Sequence, residues 1–158
     1  MFRKMRRFAQ LLSDERCRDI LRAEKRGVLS LQGDDGYPYG VPVDFLYCEA
    51  DGRLYFHGAR EGHKADAVKR CGKASFCVIG EGRPMPEGWA LEFESVIVFG
   101  RISLVDDAEK TRDICAALLR KFTDDEAYIE NELENALPRV QCFALTPEHI
   151  TGKRVKES

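Results

Sequence analysis

The chain has no Cys-x-x-Cys pair, three histidines and one tryptophan among its 158 residues. Those shortages exclude a thioredoxin-like motif and the common zinc frameworks, and they argue against a histidine-rich metal site. No apolar run is long enough to cross a bilayer. The N-terminal residues lack the apolar stretch and small-residue cleavage site of a secretory signal, so the expectation is a cytoplasmic protein with no membrane partner. Neither sign of charge dominates: 25 Lys and Arg stand against 27 Asp and Glu, a net −2, which is no footprint for nucleic acid. The one basic cluster, Arg3-Lys4-Met5-Arg6-Arg7, reads as a solvated tail. Without an export signal, most of Cys17, Cys48, Cys71, Cys77, Cys115 and Cys142 read as small core residues rather than a disulfide framework. The P-loop spacing and a dinucleotide fingerprint are absent as well.

What is present fits one domain, with 44% hydrophobic and 33% charged residues and no internal repeat or linker. Residues Ser13 to Arg26 form an amphipathic pattern that Ser13 caps and Gly27 stops. Strand patterns follow at Val28–Gln32, at Tyr37–Cys48, where alternate residues from Tyr39 to Tyr47 share a face, and at Leu54–His57. Turns at Asp34-Asp35-Gly36 and Asp51-Gly52 join these three as an antiparallel meander. A short helix over Gly62–Arg70 precedes a strand over Lys73–Ile79 and a glycine- and proline-rich loop over Gly80–Gly88. A long strand, Leu91–Val105, bends at Gly100. Helices are expected over Asp106–Phe122 and Asp124–Ala136, then a last strand over Val140–Leu145 that ends before Pro147. Trp89 either borders a site or plugs a barrel end. The fold class is mainly β: a six-stranded antiparallel sheet, of the kind that closes into a barrel and so removes exposed edges, with peripheral helices.

The stretch richest in chemistry runs His57-Gly58-Ala59-Arg60-Glu61-Gly62-His63-Lys64. A strand enters a turn with two glycines and a helix begins. Glycines allow close backbone approach, and a helix start offers free N–H groups at a positive dipole end. Arg60, His63 and Lys64 add positive charge, so the segment reads as an anion site of the kind a phosphate needs. A glycine turn beside a solvated helix start is the other reading these residues allow.

Several pieces occur in an order that resembles the pyridoxamine 5′-phosphate oxidase-like, FMN-binding split-barrel superfamily, and within it the nitroimidazole-resistance (Nim-type) proteins. They are residues 5–7, Gly33 to Val43, Leu54 to Ala59, Gly62-His63-Lys64, Ser75 to Val78, Glu94 to Arg101 and His149 to Lys153. The resemblance implies the split form of the barrel, and that Lys64, with His63, holds the phosphate of FMN. It implies that His57, Gly58 and Ala59 line the ribityl chain and phosphate. Tyr39, Gly40, Val41, Pro42 and Val43 would present backbone to the isoalloxazine ring, and a proline suits such a strand at an edge or bulge. Ser95 and Val96 would occupy the strand from which relatives reach the flavin across a dimer. Ser95 stands where the oxidases usually carry glutamine, and an arginine is missing near Tyr39; both departures argue against pyridoxamine phosphate oxidation. His63 is the candidate for the functional histidine of Nim-type proteins, although beside a phosphate it reads as a protonated donor.

The function this implies is an FMN-dependent, nitroreductase-like oxidoreductase. It would work as a homodimer with FMN at the subunit interface, passing electrons from NAD(P)H or a redox partner protein to a small acceptor such as a 5-nitroimidazole. A flavin-binding or sensing protein without turnover, and a split barrel using haem or the deazaflavin F420, are the alternatives. No metal ligand set is expected.

Overall fold

The computed structural model describes residues 1–87 and 89–156. Ser13 opens the first helix, α1 (Asp14–Ala23), its hydroxyl accepting from the Arg16 N–H at 3.1 Å. Cys17, Ile20 and Leu21 are buried along its inner face. The helix ends before Gly27, because strand β1 (Arg26–Gln32) already claims that residue. A Cβ on Gly27 would lie 2.5 Å from the Phe76 ring and 2.6 Å from the Cys77 carbonyl oxygen, so glycine serves close strand packing here rather than helix termination.

After β1 come β2 (Pro38–Asp44), β3 (Leu46–Cys48) and β4 (Arg53–Ala59), then helix α2 (His63–Arg70). Strands β5 (Lys73–Ile79), β6 (Arg83–Pro84) and β7 (Leu91–Val105) follow. Helices α3 (Ala108–Arg120) and α4 (Glu126–Ala136) lead into β8 (Val140–Lys156). The sheet is antiparallel and runs β2-β1-β5-β7-β8-β4-β3, with β6 paired to β7. Six of these strands are long; the two- and three-residue strands β6 and β3 raise the expected six to eight among the described residues.

The expected meander is broken. β2 pairs with β1, but β3 and β4 lie at the far end of the path. Phe45 alone separates β2 from β3, so the two ends of the path are covalently tied and the sheet curls into a split barrel. Phe45 is fully buried at this seam and meets the Phe76 ring edge-on at 4.8 Å. The interior is filled by Leu29, Phe56, Phe76, Val78 and Val98. A second cluster, including Tyr55, Ile114, Leu118, Ile129 and Leu133, lies on the other face of β4 beneath α3 and α4. Strand alternation lets β4 serve both cores, with Phe56 in one and Tyr55 in the other.

Lys121 clamps the seam. Its Nζ donates to the carbonyl oxygens of Glu24 at 2.6 Å and Phe45 at 2.7 Å, and it lies 4.3 Å from the Phe45 ring centroid. Burial lowers its pKa to about 8, against the weaker opposing pull of Asp44 and Glu24. A lysine with a folded-state pKa below its ordinary value loses its proton first in the folded protein. Relative to Lys121→Met, the wild type is therefore expected to gain stability as pH rises from about 8 toward 10. Denaturant midpoints of both proteins across that range check the sign, and a flat difference would show that the amine is not desolvated.

The last strand extends eleven residues beyond its expected end at Leu145, through Pro147 to Lys156. Pairing slips between Phe99 and Gly100: Phe99 opposes His149 and Gly100 opposes Pro147. Glu148 is thus an extra residue in a β-bulge, where a proline that lacks an N–H costs little. This also accounts for the bend at Gly100. Trp89 is 88% exposed, so it plugs no barrel end. The loop expected over Gly80–Gly88 contains β6, and Gly88 itself lies outside the described residues. Among the described residues no helix is long and apolar enough to cross a membrane.

Candidate functional site

The barrel's split lies where two strands lack partners on one side. Among the described residues β2 pairs only with β1. β3 stops opposite Tyr55, so Phe56 to Ala59 of β4 pair only with β8. Pro42 accordingly sits on an edge strand, as a residue without an N–H should. The open edges of Tyr39–Val43 and Phe56–Ala59 flank the start of α2.

Gly62 precedes that helix at φ +126°, a conformation that L side chains rarely adopt. No side chain caps the helix start, and the first intrahelical bond runs from the Asp66 N–H to the Gly62 carbonyl. The N–H groups of the first turn are therefore left to a ligand or solvent. Lys64, in this turn, is half-buried. Its Nζ donates to the His57 carbonyl oxygen at 3.1 Å and lies 5.2 Å from the Phe143 ring centroid. It has no carboxylate within salt-bridge distance among the described residues. Burial alone lowers its pKa. A desolvated cation held by one carbonyl and one ring face is an anion site waiting for charge compensation. Gly58 makes the space: a Cβ there would lie 2.5 Å from Lys64 Nζ and 2.8 Å from Cε.

His63 is positioned differently. Its ring stacks on Tyr39 at 3.9 Å with a 17° interplanar angle, and its Nε2 lies 3.8 Å from Asp34 Oδ2. Arg70 holds the other oxygen of Asp34 at 2.6 Å and the Gly33 carbonyl at 2.9 Å. Tyr39 and His63 are thus joined to the split's rim by Asp34 and Arg70. The sequence reading missed this ionic tie, because a separation of 36 positions between Asp34 and Arg70 leaves no local signal.

Of the remaining expected residues, Gly40 and Pro42 are exposed and Val41 is half-buried along β2. The Val43 and Val96 side chains are core residues at 8% and 0% exposure, which leaves only their backbone to meet a ligand. Ser95 is half-buried and points the opposite way along β7. Ala59 is exposed at the end of β4. Arg60 turns away, its Nε 3.4 Å from the Val140 carbonyl oxygen.

His57 carries the clearest revision. Its carbonyl meets Lys64, but its imidazole points to the other face of β4. There it lines a cavity of about 200 Å³ with Asp44 and residues of α3 and α4. Although the ring edge is open to solvent, the cavity walls displace much of the surrounding water. That desolvation lowers its pKa, the Lys64 charge lowers it further, and Asp44 opposes both.

This split barrel, with a lone lysine at its opening, is the setting for the comparisons with known proteins. The pyridoxamine 5′-phosphate oxidase family matches residues 13–154, nearly the whole chain. The chain belongs to that family. No curated protein matches it. Among solved structures it is similar to a candidate 5-nitroimidazole antibiotic resistance protein from Bacteroides thetaiotaomicron, at TM-score 0.79 and 20% identity, covering 92% of this chain and 87% of that one. An FAD-binding protein from Mesorhizobium loti is 27% identical at TM-score 0.68, covering 92% and 97%. An FAD and heme binding protein from Mycobacterium smegmatis is 20% identical at TM-score 0.72, covering 92% and 72%. The family chain is thus a split barrel whose similar structures include proteins named for binding flavin.

Proposed function

We propose that the chain is a flavin-binding oxidoreductase of the cytoplasm whose cofactor is FMN. The single observation that carries the reading is Lys64, half-buried at the split, without a carboxylate, beside a glycine that leaves room for it. Its surroundings fit a terminal phosphate: a charged donor, the uncapped amides of α2, and His63 at the rim. The open backbone edge of Tyr39–Val43 would lie along the isoalloxazine ring. When bound, the flavin supplies two-electron transfer to a small acceptor, of which a 5-nitroimidazole is the example the Bacteroides relative suggests. Electrons would come from NAD(P)H or a redox partner protein. The protein's own residues bind and orient; His63, stacked on Tyr39 with its Nε2 3.8 Å from Asp34 Oδ2, stands at the rim as a binding residue rather than a general acid.

The cofactor that co-purifies tests the reading directly. A flavin spectrum with FMN released on denaturation is expected. FAD in its place would overturn the FMN part, a haem spectrum the flavin itself, and a colourless protein that takes up no added flavin the whole. Reduced protein reoxidised faster by a nitroimidazole than by oxygen alone would distinguish an oxidoreductase from a passive flavin carrier.

A homodimer with flavin at its interface follows from the same reading. Val28, Cys77 and Ile97 stand side by side across β1, β5 and β7 on the outward face of the sheet. Val28 and Ile97 are 37% and 39% exposed, and Ile79 and Phe99 extend this apolar row. A contiguous apolar sheet face on a protein this small calls for a partner, and a second copy satisfies it with two-fold symmetry. Ser95 lies two residues from Ile97 on the same face, placed to reach across. Ile97→Lys is expected to shift the protein from dimer to monomer in analytical ultracentrifugation; a wild-type monomer with full flavin affinity would refute the arrangement.

A further inference from the structure

The cavity on the far side of β4 from Lys64 has a chemical character of its own. Strand alternation separates the two sites: Gly58 faces Lys64, and its neighbour His57 faces the cavity. Leu118, Leu119 and Phe122, at the end of α3, and Leu133 and Ala136 of α4 form an apolar wall. The ionisable groups that line it are His57, the Cys115 thiol and two carboxylates, Asp44 and Glu132, with no lysine or arginine among the lining residues. Asp44 already spends one oxygen on Arg26, whose Nε donates at 2.7 Å. Glu132 is half-buried, and no ion pair or hydrogen bond of its side chain occurs among the described residues. A carboxylate beside an apolar wall without a partner favours a ligand that brings a positive charge or an N–H donor, and disfavours an anion.

We propose that this cavity is the acceptor site, and that it selects small aromatic or heteroaromatic molecules carrying a cationic or N–H donor group while rejecting anionic ones. The acceptor role rests on the flavin reading, because the two sites adjoin across β4. The His57 carbonyl receives Lys64 Nζ at 3.1 Å, and Asp44 directly follows the β2 segment assigned to the flavin ring. The ligand class rests on the cavity alone. Its volume, about 200 Å³, falls below the range of drug-sized pockets and suits a single ring with short substituents. No lining residue offers a cation to a phosphorylated substrate; Arg26, paired with Asp44, and Lys25, 5.1 Å from the Phe122 ring centroid, stand beside the cavity without lining it.

The test compares two probes of one shape and opposite charge, benzylamine and phenylacetate, at neutral pH. Binding is measured by calorimetry or protein chemical shifts on flavin-loaded and flavin-stripped wild type. Benzylamine is expected to bind at least ~10-fold tighter than phenylacetate in both forms, a preference on the scale of one charged contact. Glu132→Gln should reduce that preference to about threefold or less, and Asp44→Asn should reduce the remainder. Ala136→Phe, which fills the cavity from α4, should abolish binding while the circular dichroism spectrum and melting point show the fold intact. Equal or tighter binding of phenylacetate, a preference that survives both carboxylate substitutions, or no binding of either probe to a folded protein would overturn the proposal. The two readings fail separately. Benzylamine binding by a protein that takes up no flavin upholds the ligand class and refutes the acceptor role. Flavin uptake without probe binding upholds the cofactor site and refutes the cavity's role.

Discussion

Lys64→Ala weakens flavin binding by about 1.5–3 kcal/mol, tenfold to over a hundredfold in Kd, the scale of a charge-assisted hydrogen bond. Folding stability should change far less, because the wild-type lysine is held by one carbonyl and one ring face and its charge is disfavoured by burial. The sign of the pH dependence follows. Burial lowers the Lys64 pKa in the free protein, and an anion beside it would raise that pKa again. Affinity is therefore expected to fall as pH rises through the lysine's free-state pKa, with proton uptake on binding in that window. Flavin fluorescence titrations across alkaline pH measure both. Lys64→Arg should keep most of the affinity. Gly58→Ala should lose it without unfolding the protein, since the added methyl meets only the movable end of Lys64 at 2.5 Å and 2.8 Å, and Phe143 at 3.6 Å. An affinity untouched by Lys64→Ala would place the phosphate elsewhere.

The largest expected loss of stability belongs to Gly100→Ala, about 3 kcal/mol. A Cβ at this position collides with the Thr146 carbonyl oxygen and lies 2.9 Å from that carbonyl's carbon and 3.1 Å from the Pro147 Cα. All three are backbone atoms, so no side-chain rotation relieves the overlap. They belong to the bulged stretch of β8 around Glu148, and relief would require the bulge to move and the β7–β8 ladder on either side of it to slip. Gly72→Ala is the control: its Cβ would meet only the Ile102 carbonyl oxygen at 3.5 Å, an ordinary contact. Chemical denaturation of both variants decides the matter, and equal midpoints would mean that the bulge is plastic.

Much of this architecture was legible because its signals are local. The Ser13 cap, the alternation of β5 from Lys73 to Ile79 and the fifteen-residue span of β7 were found at the bounds the structure gives. The segment from His57 to Lys64 was legible as a strand, a turn and a helix start for the same reason. What escaped the sequence was pairing at a distance. Period-two alternation runs through Phe45 without a break, so it shows neither that β2 ends there nor that β3 joins the opposite end of the sheet. Pro147 looked like a terminator because a bulge is a property of two strands, and only β7 shows that β8 has a residue to spare. Within the site, alternation placed His57 and Gly58 on opposite faces from the outset. Grouping them by adjacency in sequence concealed that the imidazole and Lys64 lie on opposite faces of β4. The Asp34–Arg70 tie was invisible for want of any local pattern; the apolar stripe of α3 at Ile114, Cys115 and Leu118 was legible, but not that it packs on Tyr55 of β4.

The position of β8 in the sheet has a consequence for how the protein is made. This last strand lies between β7 and β4 in the path. Until residues 140–156 are in place, β3 and β4 have no neighbour joining them to the rest of the sheet, and the split flanked by β4 does not exist. During vectorial synthesis the emerging chain can form the β1–β2 and β5–β7 ladders early, but Lys64 has no strand-bound carbonyl to meet until the end. The ladder that finally positions it joins residues more than eighty positions apart, His57 with Cys142. Contacts of such separation fold on the slower, millisecond-to-second scale typical of β-rich topologies. Cofactor capture should therefore be a late event in biogenesis, following completion of the sheet rather than templating it.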